Sequence, residues 1–216
     1  MKKIASPLFQ DLSEAELDTL AAAGHLRTRQ FAKHEVIFRA GSCVLEIGIV
    51  LRGSVHIENL DLWGTKSILS SVGAGQAFAE TYAFCGEALM VDAVAAEHCE
   101  ILFLHTAAFT DARIEPALQD KLLRRLLAVA MRKNLSLSQR IFCTTPKTVR
   151  GRLLTYFSAQ AARCGRMAFE VPFNRQQMAD YLNLDRSALS KELCKMRDEG
   201  LLEFDKNRFV LKQLPE

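Results

Sequence analysis

At 216 residues, with 49% hydrophobic and 25% charged side chains, the chain has the make-up of a globular protein of one large domain or two modest ones. It contains no run of about 18 apolar residues, which excludes a membrane-spanning helix. The net charge of +3 conceals two unlike halves: residues 1–110 carry 8 Lys/Arg against 13 Asp/Glu, and residues 111–216 carry 20 against 12. A basic half favours a polyanionic partner, although a solvated basic surface satisfies the same composition.

Residues 1–12 include Ser6, Pro7, Gln10 and Asp11 and lack the apolar centre of a signal peptide, so the expected location is the cytoplasm. Six scattered cysteines, Cys43, Cys85, Cys99, Cys143, Cys164 and Cys194, form no C-x-x-C pair. In a reducing compartment they are expected as free thiols, with a redox or metal role as the alternative.

Ser13 and Glu16 form an S-x-x-E capping box ahead of Leu17, Leu20 and Ala21, which predicts a short helix. From about Arg27 the texture changes to short strands. Val36, Ile37 and Phe38 end at Ala40-Gly41, and Leu45, Ile47, Ile49 and Leu51 alternate before Arg52-Gly53. Val55 and Ile57 resume the period of two, Trp63-Gly64 breaks before Ile68-Leu69, Gly73 and Gly75 break again, and 101–104 closes the series. Turn signals at this spacing predict a compact β-sandwich or barrel.

After Pro116 neither Gly nor Pro recurs through Phe142. Leu123, Leu127, Ala130, Asn134, Leu137 and Ile141 follow at spacings of 4, 3, 4, 3 and 4, a heptad seam with Asn134 at an a position. A polar residue there favours one register in a parallel dimer. The alternative is a helix packed on its own domain, and both can hold if Leu122, Leu126 and Val129 face the preceding domain. Thr144-Thr145-Pro146 breaks the helix, and a new one is expected over 147–162.

The most informative segment is 173–211. Asn174 with Gln177 caps a helix over 175–182, in which Met178 and Leu182 face inward and Ala179 allows close approach. Asn183 suits a left-handed turn position, Leu184 plugs the turn, and Asp185 caps a second helix with Leu189, Leu193 and Met196 buried. Helix, short turn, helix is the helix-turn-helix plan, whose second helix enters the major groove. Arg186, Ser187, Ser190 and Lys191 then face base edges and phosphates, and an arginine bidentate to guanine is worth roughly 1–3 kcal/mol of discrimination. Residues 202–204 and 208–211 flank Asp205-Lys206-Asn207 as a wing hairpin, with Lys206 and Arg208 placed for the DNA backbone. Glu192 falls where an apolar residue is usual, so either Leu193 takes over its packing or the helix is rotated.

These features resemble the Crp/Fnr family of bacterial regulators over nearly the whole chain. The sensor portion matches through EVIFRAG at 35–41, VLRGSV at 50–55 and GQAFAE at 75–80. The hinge matches through KTVRGRL at 147–153, and the reader through NRQQMADYL at 174–182 and DRSALSKEL at 185–193. The resemblance implies an α+β architecture: an N-terminal β-roll (a cyclic-nucleotide-binding-like jelly roll) over 1–115, a long central dimerisation helix over 116–144, and a C-terminal winged helix-turn-helix over 145–216. It implies a parallel homodimer on a near-palindromic double-stranded DNA site, with RNA polymerase as a partner where the regulator is an activator. It places Arg186, Ser187 and Lys191 at the base-reading positions and Arg175 on backbone phosphate.

Cyclic-AMP binders of the family carry an Arg-Ser pair after the glycine-rich turn, and the guanidinium pairs with the cyclic phosphate. Here the matching stretch is GEALMV at 86–91, without arginine, and Glu80 and Glu87 would repel a phosphate, although Glu80 matches the family's ribose-binding acid. No N-terminal cysteine cluster is present for an iron–sulfur centre. His34, His56, His98 and His105, each a lone histidine, read as structural rather than haem ligands. The expected effector is therefore an unidentified small organic molecule in a pocket of Phe78, Tyr82, Phe84, Leu89 and Met90 beside Glu80, with no metal. The alternative is the same reader without an effector, or under redox control by Cys85, Cys99 or Cys43. No G-x-S-x-G, H-E-x-x-H, Walker loop or C-x-x-C zinc pair occurs, and no enzymatic activity is expected.

Overall fold

A computed structural model describes residues 4–60 and 66–212. The Trp63-Gly64 break lies outside the described residues. The chain forms two compact units that divide between Arg132 and Lys133.

The first unit opens with a 3-10 turn, Pro7–Phe9, and helix α1, Glu14–Ala22. The capping box forms as expected: the Glu16 amide donates to Ser13 Oγ at 3.2 Å, and the Ser13 amide to Glu16 Oε2 at 2.7 Å. The strands are β1 (Leu26–Phe31), β2 (Val36–Phe38), β3 (Glu46–Arg52), β4 (Val55–Leu60), β5 (Lys66–Val72) and β6 (Ala77–Phe78). Helix α2 (Glu80–Cys85), β7 (Asp92–Ala95) and β8 (Cys99–His105) complete the roll. Two antiparallel four-stranded sheets result, in the orders β1-β8-β3-β6 and β2-β7-β4-β5.

The two sheets bury one core between them. Phe31, Val50, Phe78, Ile101 and Phe103 of the first sheet meet Val55, Val72, Ala93 and Ala95 of the second. The other face of the first sheet is also covered: Ile47, Ile49, Leu102 and Leu104 pack with Leu8, Phe9, Leu17 and Leu20 and with Ile114, Leu118, Leu122 and Leu126. Burial on both faces explains why β8 reads as a continuous apolar run rather than an alternation. The alternation read from 45–51 holds from Ile47 on, with Ile47, Ile49 and Leu51 packed on the same core. Ile47 and Ile49 face one core while Val50 faces the other, and Leu45 precedes β3 and is 56% exposed.

Gly48 makes this double packing possible. A Cβ there would lie 2.3 Å from Cζ of Phe78, whose ring covers β3. Near the start of β1, His25 Nε2 lies 2.7 Å from Asp111 Oδ2. Arg113, hydrogen-bonded to the same carboxyl, is the main reason that Asp111 titrates well below the usual carboxylate range, with His25 adding to the effect.

Helix α3, Pro116–Thr144, is 29 residues long and continues from the first unit into the second. The second unit adds α4 (Val149–Cys164), β9 (Ala168–Glu170), α5 (Arg175–Leu182), α6 (Arg186–Asp198), β10 (Leu202–Asp205) and β11 (Arg208–Leu211). Its three-stranded sheet has the order β10-β11-β9. The core joins Leu153, Tyr156 and Phe157 of α4 to Met178, Ala179 and Leu182 of α5, Leu189, Leu193 and Met196 of α6, and Phe169 and Phe209 of the sheet. Strand β9 is absent from the reading of the sequence above, although buried Phe169 and Val171 alternate with exposed Glu170. Among the described residues, no helix is long and apolar enough to cross a membrane.

Candidate functional site

The α5–turn–α6 segment is built by side chains that satisfy helix ends. At the start of α5 the Gln177 amide donates to Asn174 Oδ1 at 2.9 Å, and the Asn174 amide donates to Gln177 Oε1 at 2.9 Å. At its end Asn183 adopts φ 51° and ψ 54°, the left-handed conformation that its short amide tolerates. The Ala188 amide donates to Asp185 Oδ1 at 2.9 Å and opens α6, and Ser187 Oγ donates to the same carboxylate. These bonds hold Asp185 below its usual carboxyl range.

Two arginines close the C-terminal end of α5, where carbonyls lack intrahelical partners and the helix dipole favours a cation. Arg140 of α3 donates to the carbonyls of Tyr181 at 3.1 Å and Asp180 at 2.9 Å. Arg152 of α4 donates to those of Leu182 at 3.1 Å and Asn183 at 2.7 Å, and also to Pro146 at 2.8 Å. Neither arginine is singled out by local sequence pattern, because both act across 30 or more residues.

On α6, Arg186, Ser187 and Lys191 are exposed and Ser190 is half-buried, all within its first two turns. In the wing, Lys206 sits at φ 49° in the turn, and both Lys206 and Arg208 are exposed. Asn207 Nδ2 donates to Glu170 Oε1 at 2.7 Å, which ties the turn to β9. Arg175 is placed differently from the other cations. Its guanidinium lies 5.0 Å from the Phe204 ring centre and 5.2 Å from that of Phe209, and burial lowers its pKa. It therefore stacks α5 on the wing as well as presenting a charge.

The residues expected to line an effector pocket are dispersed. Phe78 is buried against Gly48 and Phe38 in the inter-sheet core, Leu89 is buried in the bridge opposite Ser42, and Met90 is 77% exposed. Tyr82 is half-buried on α2. Glu80 and Phe84 alone of the six line a groove of about 190 Å³. Thr81 and Cys85 of α2 complete one wall, and Leu123, Leu126, Leu127 and Ala130 of α3 form the other. The α3 wall is not foreseen from sequence, because it comes from residues some 40 positions further along the chain. Ala79, ahead of α2, holds φ 61°, a strained conformation for an L residue. Cys43 and Cys85 are exposed, whereas Cys99 is buried and donates to the Ser54 carbonyl at 3.0 Å.

Along α3, Leu122 and Leu126 are buried while Leu123, Leu127, Leu137 and Ile141 are 46–58% exposed. Met131, Leu135 and Phe142 are exposed beside them, so the apolar stripe is broader than the heptad seam. Asn134 is exposed and Ala130 half-buried.

A β-roll followed by a winged helix-turn-helix defines the class of effector-sensing, DNA-binding regulators. Comparison with known proteins agrees in both parts. Residues 28–113 match the cyclic nucleotide-binding domain model, and residues 151–216 match the Crp-like helix-turn-helix domain. Among solved structures, the catabolite activator protein of Thermus thermophilus is 25% identical, with 96% of this chain and 94% of that chain covered and a TM-score of 0.50. FixK2 from Bradyrhizobium japonicum is 19% identical over 87% of this chain and 93% of that one, at a TM-score of 0.52. CprK complexed with OCPA is 12% identical over 94% and 91%, at 0.64. The last two likenesses concern the fold alone. No curated protein matches the chain in sequence. The chain belongs to the Crp/Fnr family of transcription regulators, a family of regulators rather than enzymes.

Proposed function

We propose that the chain is a homodimeric, sequence-specific DNA-binding regulator controlled by a small, largely apolar effector other than cyclic AMP. Residues 1–115 sense, 116–144 pair and couple, and 145–216 read DNA. The observation that carries the reading is the capped α5–turn–α6 segment, which leaves Arg186, Ser187 and Lys191 exposed on the first turns of α6. Arg186 suits a guanine edge, and Lys191, Lys206 and Arg208 suit phosphates. The exposed stripe of α3 supports pairing through Leu123, Leu127, Ala130, Asn134, Leu137 and Ile141, since apolar surface of this extent marks an interface.

The segment 86–91 closes α2 without an arginine, and the groove beside it is lined mainly by apolar side chains. That combination supports an apolar effector over a cyclic phosphate. An effector seated there touches Leu123 and Leu127, and so biases the helix pair only if it binds one state better than the other.

The test is selection of duplexes from a random-sequence library by the full-length protein, followed by titration of the winner at several salt concentrations. A near-palindromic consensus with an affinity that falls as salt rises is expected. Absence of any sequence preference, with or without metabolite extract, would refute the reading. Calorimetric titration with cyclic AMP is expected to give no heat of binding, and saturable binding would overturn that part of the proposal.

A further inference from the structure

Glu192 stands on α6 where an apolar residue is usual, and the fold gives it a partner that neither alternative drawn from the sequence foresaw. Arg150, in the first turn of α4, donates through Nε to Glu192 Oε1 at 2.6 Å. Its two terminal nitrogens donate to Glu199, Nη1 to Oε2 at 2.7 Å and Nη2 to Oε1 at 2.9 Å. One planar guanidinium thus holds two carboxylates on the same helix, one in its middle and one at its C-cap. The carboxylates of Glu199 and Glu192 raise the pKa of Arg150, and its guanidinium in turn lowers that of Glu199.

The placement of these carboxylates matters for what α6 does. At about 100° per residue, Glu192 and Glu199 fall within about 20° of one another, between the edge of the helix that carries Lys191 and the buried stripe of Leu189, Leu193 and Met196. The buried stripe attracts without direction, so by itself it tolerates roll of α6 about its axis. The Arg–carboxylate fork is directional, and it lies to one side of the stripe, where it opposes that roll. Ser187 and Ser190 project from the far side of the helix from the clamp, flanked by Arg186 and Lys191.

We infer that Arg150 is a specificity-determining positioning residue: by clamping Glu192 and Glu199 it sets the roll of α6 and hence the aim of the base-reading side chains. Arg150 itself need not touch DNA. The inference rests on α6 being the reader helix, as proposed above.

The experiment compares full-length wild type with Arg150→Lys on two duplexes, the library-selected winner and a scrambled duplex of equal composition. Lysine keeps the charge but not the fork. The ratio of the two affinities is expected to fall about tenfold, within the range that one base contact is worth, while the salt dependence stays that of wild type. A loss of folded protein alone scales both affinities alike and leaves the ratio untouched. If Arg150→Lys does not fold, Glu192→Gln, which keeps the side-chain shape, is measured by the same ratio with the same fall expected. A ratio within about twofold of wild type in the folded variant would overturn the clamp, because a lost base contact is worth more than that. A wild-type ratio of one would instead overturn the reading of α6 as the reader helix.

Discussion

The two units hold their helices and strands by different means. The sensor unit is set apart by a sheet buried on both faces, with Phe31, Phe78 and Phe103 filling one side and Ile47, Leu102 and Leu104 the other. The reader unit adds directed bonds at its helix ends to a buried core of its own. Asn174 and Asp185 cap helices, Arg140 and Arg152 close the end of α5, and Arg150 clamps α6. Apolar contact resists separation but tolerates small sliding, whereas charge-assisted hydrogen bonds fix angle. A sensor must accommodate a change in packing, while a reader must present side chains to base edges at hydrogen-bond distance.

Substitutions can break this contrast at several points. The largest effect is expected from Leu137→Glu on the exposed stripe of α3. Burying an unpaired carboxylate costs several kcal/mol, so the dissociation constant of the proposed homodimer should rise at least about 100-fold in sedimentation equilibrium. An unchanged dimer would remove the stripe from the interface.

Next comes Gly48→Ala, whose methyl would meet the Phe78 ring. Overpacking of this kind costs about 1–3 kcal/mol. Hydrogen exchange should locate the loss in β3, β6 and β8, with α5 and α6 unaffected; equal loosening of both units would undo the contrast.

Asn174→Ala probes the reader in the opposite sense. Loss of the capping box should cost about 1 kcal/mol in chemical denaturation and speed exchange of the first amides of α5 without touching the sheets.

The smallest effect is expected from Ala79→Gly. Relief of the left-handed strain outweighs the added freedom of the unfolded chain, for a net gain of about 0.5 kcal/mol. A loss of stability there would mean that the Ala79 methyl makes a contact worth more than its strain.

Legibility followed distance along the chain rather than the division between the units. The caps at Ser13, Asn174 and Asp185, the left-handed Asn183 and the wing turn at 205–207 were readable because each acts within four residues and needs particular side-chain chemistry. The split character of α3, with Leu122 and Leu126 inward and Leu127 and Ile141 outward, was readable from spacing. The groove beside α2 was not. Phe78, Leu89 and Met90 lie close together in sequence, yet the roll sends one into the inter-sheet core, one into a bridge and one into solvent.

Local sequence thus determined where α1, α5 and α6 begin and which residues face outward on α6, since those outcomes depend on short-range hydrogen bonds and a helical period. The tertiary structure decided the rest. It paired Glu192 with Arg150 across 42 positions, closed α5 with arginines from α3 and α4, and moved the groove beside α2 onto the flank of α3. These contacts join residues far apart in the chain, and their partners are chosen by the packing of whole elements rather than by any local pattern.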